Sequence, residues 1–318
     1  ASDLPDDPRL EEELLRYFPA ALQEKYQSAI RGHRLRREIT ALQVVNSLVN
    51  RCGPTFVHNV GQRSGASAAT IARAFTVVRD AWRLRTLWAD IEALDSALKA
   101  EAQIRMLVAS QRFLVRTVQW TLRRLAQPLD TIAATEKLSA AVDALGDLPA
   151  DLIGQAEATA LGERAASLEA IGAPAATARQ AAALETLGAA GDLALAAEAN
   201  GCNIESAARL YFRIGERLSL ASLTNAAQKL PREGQWPSQA ALAIQDELAG
   251  LHADLLGSAL RAVGGGNCDP EAALAKWSEP RQLALDRVDR LVKEDFAAAG
   301  ALDLAMLSVA TAELRTLV

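Results

Sequence analysis

Between Val142 and Val263 the chain has no valine at all. β-Sheets draw on β-branched and aromatic residues to fill their pleated faces, and the supply is thin throughout: 16 Val and 11 Ile in 318 residues, with 4% aromatic. In their place stand 66 Ala and 47 Leu, two of the strongest helix formers. A Rossmann-type or β-rich fold lacks its material here. The composition predicts an all-α multi-helix bundle without significant sheet, and the length suffices for one large domain or two ordinary ones.

Charge-free stretches reach about twelve residues, as in Ile39 to Asn50, short of the roughly 18 needed to cross a membrane. No basic, apolar, small-residue series opens the chain, so no secretory signal is read. Cys52, Cys202 and Cys268 are odd in number and far apart, which fits a reducing cytoplasm better than a disulfide framework. No methionine precedes Met106, as expected of a processed start or of a segment of something longer. Net charge is −4 over residues 1–30, +10 over 31–127 and −11 over 128–318. A basic block of this size either meets nucleic acid or an acidic surface, or is matched by acidic parts of the same molecule. The reversal coincides with Pro128, which makes 1–127 (basic) and 128–318 (acidic, Ala-rich) the expected subdomains.

Periodicity and punctuation predict a helix after Asp6-Asp7-Pro8, another from Pro19 to about Gly32, a short piece at 55–60, and longer helices over 35–51, 68–84, 87–98 and 101–126. Ser67 is the expected N-cap of the 68–84 helix, with Ile71, Ala74, Phe75 and Val78 on one face. Beyond Pro128 the predicted helices cover 130–145, 150–170, 175–188, 190–199, 204–218, 236–262, 270–277, 280–298 and 302–316. No repeat of constant period is visible.

The chemistry-bearing residues are sparse. His33, His58 and His252 are the whole histidine complement. No pair stands at i, i+4, and neither HExxH nor CxxC occurs, so no zinc site is expected. The Gly264-Gly265-Gly266 run follows a predicted helix, outside the strand–turn–helix context of a dinucleotide fingerprint, and reads as a loop. Ser64 near His58 lacks a GxSxG elbow and reads as turn chemistry. Catalytic, cofactor-binding and metal-ligating residues are therefore all predicted to be absent. In the 35–51 helix, Ile39, Leu42 and Val49 share a stripe on which Asn46 falls, with Asn50 a turn further on. An amide on a buried stripe needs a partner, either another helix or a ligand or partner surface, with Arg36, Arg37 and Arg51 close by. Arg112, Arg116, Arg123 and Arg124 make a basic face on the 101–126 helix. Residues 48–80 admit a helix–turn–helix reading, with Ile71-Ala72-Arg73-Ala74 in the recognition helix.

A family resemblance rests on motifs in order. Arg36-Arg37-Glu38-Ile39, Val49-Asn50-Arg51-Cys52-Gly53-Pro54-Thr55-Phe56, Gly65-Ala66-Ser67 and Ile71-Ala72-Arg73-Ala74-Phe75 open the series. Arg209-Leu210-Tyr211-Phe212, Gly215-Glu216-Arg217-Leu218 and Asp303-Leu304-Ala305-Met306-Leu307-Ser308-Val309-Ala310 close it. Together they resemble the C-terminal helical region of the large bacterial NAD-dependent glutamate dehydrogenases. Cys52 and Ala312 depart from that pattern, and residues 130–200 match it only in helix pattern and Gly172-Ala173-Pro174. The resemblance implies a long, cytoplasmic, homo-oligomeric enzyme that oxidises L-glutamate with NAD. Its substrate lysines and nucleotide-binding sheet lie upstream, so no catalytic residue carries over and NAD belongs to the full-length enzyme only. What remains for this region is to brace the catalytic core or oligomer, with a possible part in regulation. Arg36, Arg37, Asn46, Asn50, Arg51 and Arg73 are the candidate contacts to the upstream catalytic domain of the same chain. A DNA-binding regulator or a free-standing helical adaptor is the alternative, although no nucleic-acid or membrane partner is expected.

Overall fold

The structure, a computed structural model, describes residues 4–95, 98–231, 233–264, 269–296 and 300–318. Their regular structure is entirely helical, and the fold is all-α. The chain packs as two compact units, one of residues 1–142 and 163–188, the other of 143–162 and 189–318.

In the first unit, two 3-10 turns, Leu4–Asp6 and Pro8–Leu10, lead into α1 (Glu11–Tyr17). The continuous helix expected from Pro19 to Gly32 is instead two short pieces, α2 (Ala20–Gln23) and α3 (Gln27–Arg31). α2 buries no residue, so nothing holds the chain to a single axis. The bend turns Ile30 into a small cluster with Leu14 and Ile39, under Leu15 and Phe18. α4 (Arg36–Cys52) packs against α1 and ends at Gly53-Pro54, and the short piece after it is a true helix, α5 (Phe56–Ser64).

α6 (Ala68–Ala81) is central to this unit. Its cap is Ser67, whose Oγ accepts the Thr70 N–H at 3.2 Å, and its predicted face of Ile71, Ala74, Phe75 and Val78 is wholly buried. It lies against α8 (Ala100–Arg124), where Ala102, Met106, Phe113, Leu114 and Val118 repeat at helical spacing and are buried. α7 (Leu84–Glu92) and α12 (Ala175–Leu187) also pack on α8. Trp82 joins them: its indole N–H donates to the Leu187 carbonyl at 2.9 Å, and its ring meets Phe113 edge-on.

α9 (Thr131–Leu145) and α11 (Gln155–Glu169) each contribute residues to both units. The helix predicted over 150–170 is broken at Gly154, whose φ of +79° suits only a residue without a Cβ, leaving α10 (Ala150–Ile153) as a separate turn. In the second unit the long α16 (Gln235–Ala262) is the hub. Around it pack α13 (Ala190–Asn200), α14 (Ile204–Arg217), α15 (Leu220–Lys229), α17 (Pro270–Ser278) and α19 (Leu304–Arg315), with α18 (Gln282–Arg290) against α19. Ala194, Ala197, Ala207, Ala208, Ala259, Ala273 and Ala310 are all buried here. Such small side chains let helices approach closely, and they give the alanine excess its structural use. The helix predicted over 280–298 is a 3-10 turn, then α18, then a π-helical segment, Leu291–Asp295. Of the predicted glycine loop, Gly264 is described in a turn; Gly265 and Gly266, with Cys268, lie outside the described residues.

Candidate functional site

The acidic opening of the chain is seated on its basic block. Asp6 pairs with Arg37 and, at 4.0 Å, with Arg36; Glu11 pairs with Arg31. The nearly buried Asp7 holds Arg73 Nε at 3.3 Å and accepts the Thr131 hydroxyl at 2.7 Å. Arg51 pairs with Glu92 at 2.6 Å, and its guanidinium lies 4.4 Å from the Trp88 ring centroid, a cation–π contact. The four candidate arginines are thus each engaged inside the first unit, and they form no single cluster.

The two candidate amides lie elsewhere. α4 buries Thr40, Val44, Leu48 and Cys52 at i, i+4 spacing, together with Ile39. The stripe expected from the sequence, with Leu42 and Val49 inward, is corrected: both are exposed, and Asn46 and Asn50 are exposed beside them. The sequence pattern allowed either stripe because α4 is apolar on two faces. Asn50 and Arg51 border a shallow cleft of about 190 Å³ with Trp88, Leu107, Val108, Ser110 and Gln111. That is smaller than the about 300–1,000 Å³ of ordinary ligand pockets.

The helix–turn–helix reading fails on burial. Ten residues of α6 are buried, and Arg73 is held by Asp7. A recognition helix needs an open face to reach base edges, and α6 has none. Arg112, Arg116, Arg123 and Arg124 of α8 are exposed. Ser64 is spent on its turn, its Oγ donating to the Val60 carbonyl and accepting the Ala66 N–H.

The structure also contains a buried charge network that sequence reasoning missed. Arg79, 1% exposed, places Nη1 2.9 Å from Glu13 of α1 and Nε 2.7 Å from its neighbour Asp80. Arg85 pairs with the same Glu13 and lies 3.7 Å from Asp80. Two cations face two carboxylates, so the group is neutral overall. Burial, then the nearby Arg79, holds the Arg85 guanidinium below its usual value, and Glu13 opposes this. A signal was available: Arg79 stands four residues after Phe75, on the buried face of α6.

Two of the titratable groups that depart from ordinary behaviour, Cys52 and His252, are packing groups. Burial pushes the Cys52 thiol up to about 12, so it is unreactive at neutral pH. His252 of α16 stacks on Tyr211 of α14, with ring centroids 3.4 Å apart, and its Nε2 lies 2.8 Å from the Tyr211 carbonyl. Gly215 makes the room, since a Cβ there would sit 3.0 Å from His252 Cε1. Burial lowers the imidazole from 6.5 to about 4, against a weak upward pull from the Tyr211 carbonyl. The neutral ring therefore contributes stability that is fully present above about pH 6.5 and is lost as pH falls towards 4, on the order of 3 kcal/mol in all. An NMR titration of the His252 Cε1 proton is expected to show a neutral ring still at pH 5.5. A protonated ring at that pH in the folded protein would refute the assignment.

Among the described residues, no group of three or more His, Cys, Asp or Glu side chains could hold a metal ion, and no helix is long and apolar enough to cross a membrane. The motifs of the resemblance serve as the framework of the fold. Ser67 caps α6, Gly215 admits His252, and Asp303 caps α19 by accepting the Met306 N–H at 2.8 Å.

Comparison with known proteins agrees with that framework from end to end. The family model for the C-terminal part of glutamate dehydrogenase matches residues 1–316. The NAD-specific glutamate dehydrogenase of Pseudomonas aeruginosa is 31% identical over 314 residues, 99% of this chain and 19% of that protein. That of Mycobacterium tuberculosis is 28% identical over 315 residues, with the same coverage of both chains. The corresponding Halomonas elongata protein is 43% identical over 124 residues, 39% of this chain and 8% of its own. The chain spans about a fifth of the length of the first and second of these relatives. Matched along almost its whole length, it belongs to the glutamate dehydrogenase C-terminal family.

Proposed function

We infer that residues 1–318 are the non-catalytic C-terminal helical region of a cytoplasmic, homo-oligomeric NAD-dependent glutamate dehydrogenase. The full-length enzyme would convert L-glutamate, NAD and water to 2-oxoglutarate, ammonia and NADH, with NAD held outside this region. The observation that carries the reading is the match of 99% of this chain to one fifth of an NAD-specific glutamate dehydrogenase. The fate of the reactive side chains supports a structural role: Cys52 and His252 are taken up by packing, and Ser64 by a turn. The region braces the catalytic part of the same polypeptide or its oligomer.

The test compares the full-length protein with a form lacking residues 1–318. Deletion is expected to abolish glutamate-dependent NADH formation or to change the oligomeric state, while NAD binding by the remainder persists. Unchanged activity and assembly after deletion would rule out the bracing role. Loss of NAD binding in a remainder that still folds would place cofactor contacts in this region and overturn its non-catalytic character.

A further inference from the structure

Large apolar side chains left in solvent are unevenly distributed over this chain. Fourteen are exposed among the described residues, and seven of them fall between Tyr17 and Val49, roughly a tenth of the sequence. Scattered exposed apolar residues are ordinary, whereas a concentration of them marks an interaction surface. Tyr17 is 49% exposed, Leu35 50%, Leu42 51% and Val45 53%, on α1, before α4 and along α4.

The face of α4 is unusual in a second way. The charge-free stretch from Ile39 to Asn50 is an exposed helix in part, and it shows solvent Leu42, Val45, Asn46, Val49 and Asn50 without a single charge. Solvated helix faces normally carry charged residues. Asn46 and Asn50 make no side-chain hydrogen bond among the described residues, so their amides are available to a partner. An apolar centre that is poor in charge and carries aromatic side chains is the make-up of the covered part of a protein interface.

Charge lies at the edge of this face. Arg31, Arg36, Arg37 and Arg51 are each paired with a carboxylate of this chain, and Arg34 and Glu38 are exposed beside Leu35 and one turn before Leu42. The centre of the face is charge-free, so it fits an apolar protein surface that offers hydrogen-bonding groups to the two amides. Its source is indicated by length: this region is 19% of the relatives that match it end to end, and four fifths of such a polypeptide lies elsewhere. We propose that the exposed face of α4, with Tyr17 and Leu35 at its edge, is the seat of the part of the same polypeptide that precedes this region. This rests on the reading of the chain as a C-terminal region, and it moves the contact from the arginines to the apolar and amide residues.

The experiment uses the full-length protein with a photo-cross-linking amino acid in place of Val45, and in a second sample in place of Val309, which is 51% exposed on α19. Adducts are mapped by mass spectrometry. Position 45 is expected to join residues that precede this region in the same polypeptide, with about tenfold more adduct than position 309, as for a covered position against a wet one. Equal yields at the two positions, or adducts from 45 that fall only within this region of a second copy or on another protein, would overturn the proposal. The parallel deletion of residues 1–318 keeps the two readings apart. If deletion harms activity or assembly while position 45 yields no such adduct, the surface is wrong and the bracing role stands. If deletion has no effect, the bracing role itself is wrong.

Discussion

Replacing Glu13 with alanine is expected to destabilise the first unit by about 3–5 kcal/mol, the range found when one partner of a buried ion pair is removed. The cause is what the substitution leaves behind. Arg79 stays 1% exposed with Asp80 as its remaining carboxylate, and Arg85 loses its buried partner. Two guanidiniums then face one carboxylate, and the buried Arg79 has no access to water that could compensate it. Glu13→Gln tests the electrostatic part alone, because it keeps the shape and removes the charge. Its cost should approach that of the alanine variant. A full exchange for apolar side chains should behave differently: Glu13→Leu with Arg79→Met takes away the buried charges together, and Asp80 and Arg85 keep each other. That double variant is expected to be more stable than Glu13→Ala, although it alters one more residue. Urea denaturation of all three variants decides the matter. Costs near 1 kcal/mol for Glu13→Ala, typical of an exposed pair, would show that the site is wetter than its burial implies.

This network also shows why some of the fold was legible and some was not. Local rules found α4, α6 and α8, the Ser67 cap and the buried face of α6, because each is written in spacings of three and four residues. They missed α15, whose Thr224, Asn225 and Gln228 dilute its apolar pattern and whose start follows Ser219 at a φ of +54°. They merged α10 with α11, because a single glycine is weak evidence of a break until its φ is known. On α4 two apolar stripes competed, and only the packing of α1 and α6 against it shows that Val44 and Leu48 point inward. Four of the six candidate contacts are arginines, and each of these is paired within its own unit. Asp7 meets Arg73 across 66 positions and Glu13 meets Arg85 across 72, separations that no local pattern encodes. The acidic opening and the basic block were visible as composition. That Asp6, Asp7, Glu11 and Glu13 of the opening pair with arginines of the block required the fold.

In the second unit the largest expected loss is at Trp277, the bulkiest of the fully buried side chains. Trp277→Ala is expected to cost about 3–5 kcal/mol from lost burial and the cavity left behind. The indole also belongs to a hydrogen-bonded hub that ties α16, α17 and the tail after α19 together. Ser258 Oγ of α16 accepts from Trp277 Nε1 at 3.3 Å and from Arg281 Nη2 at 3.2 Å, and donates to the Val318 carbonyl at 2.9 Å. Arg281 in turn donates to the carbonyls of Leu317 and Trp277, at 2.8 and 3.0 Å. Trp277→Phe separates the two contributions. It keeps most of the ring and deletes the N–H, while Arg281 still donates to Ser258, so the loss should be about 1 kcal/mol. Ser258→Ala should cost more than that N–H alone, because it removes the acceptor of two donors and the donor to Val318 at once. The ordering expected in thermal or urea denaturation is therefore Trp277→Ala, then Ser258→Ala, then Trp277→Phe. If Trp277→Phe matched Trp277→Ala, the hydrogen bond rather than the buried ring would dominate, and the packing account of this unit would be wrong.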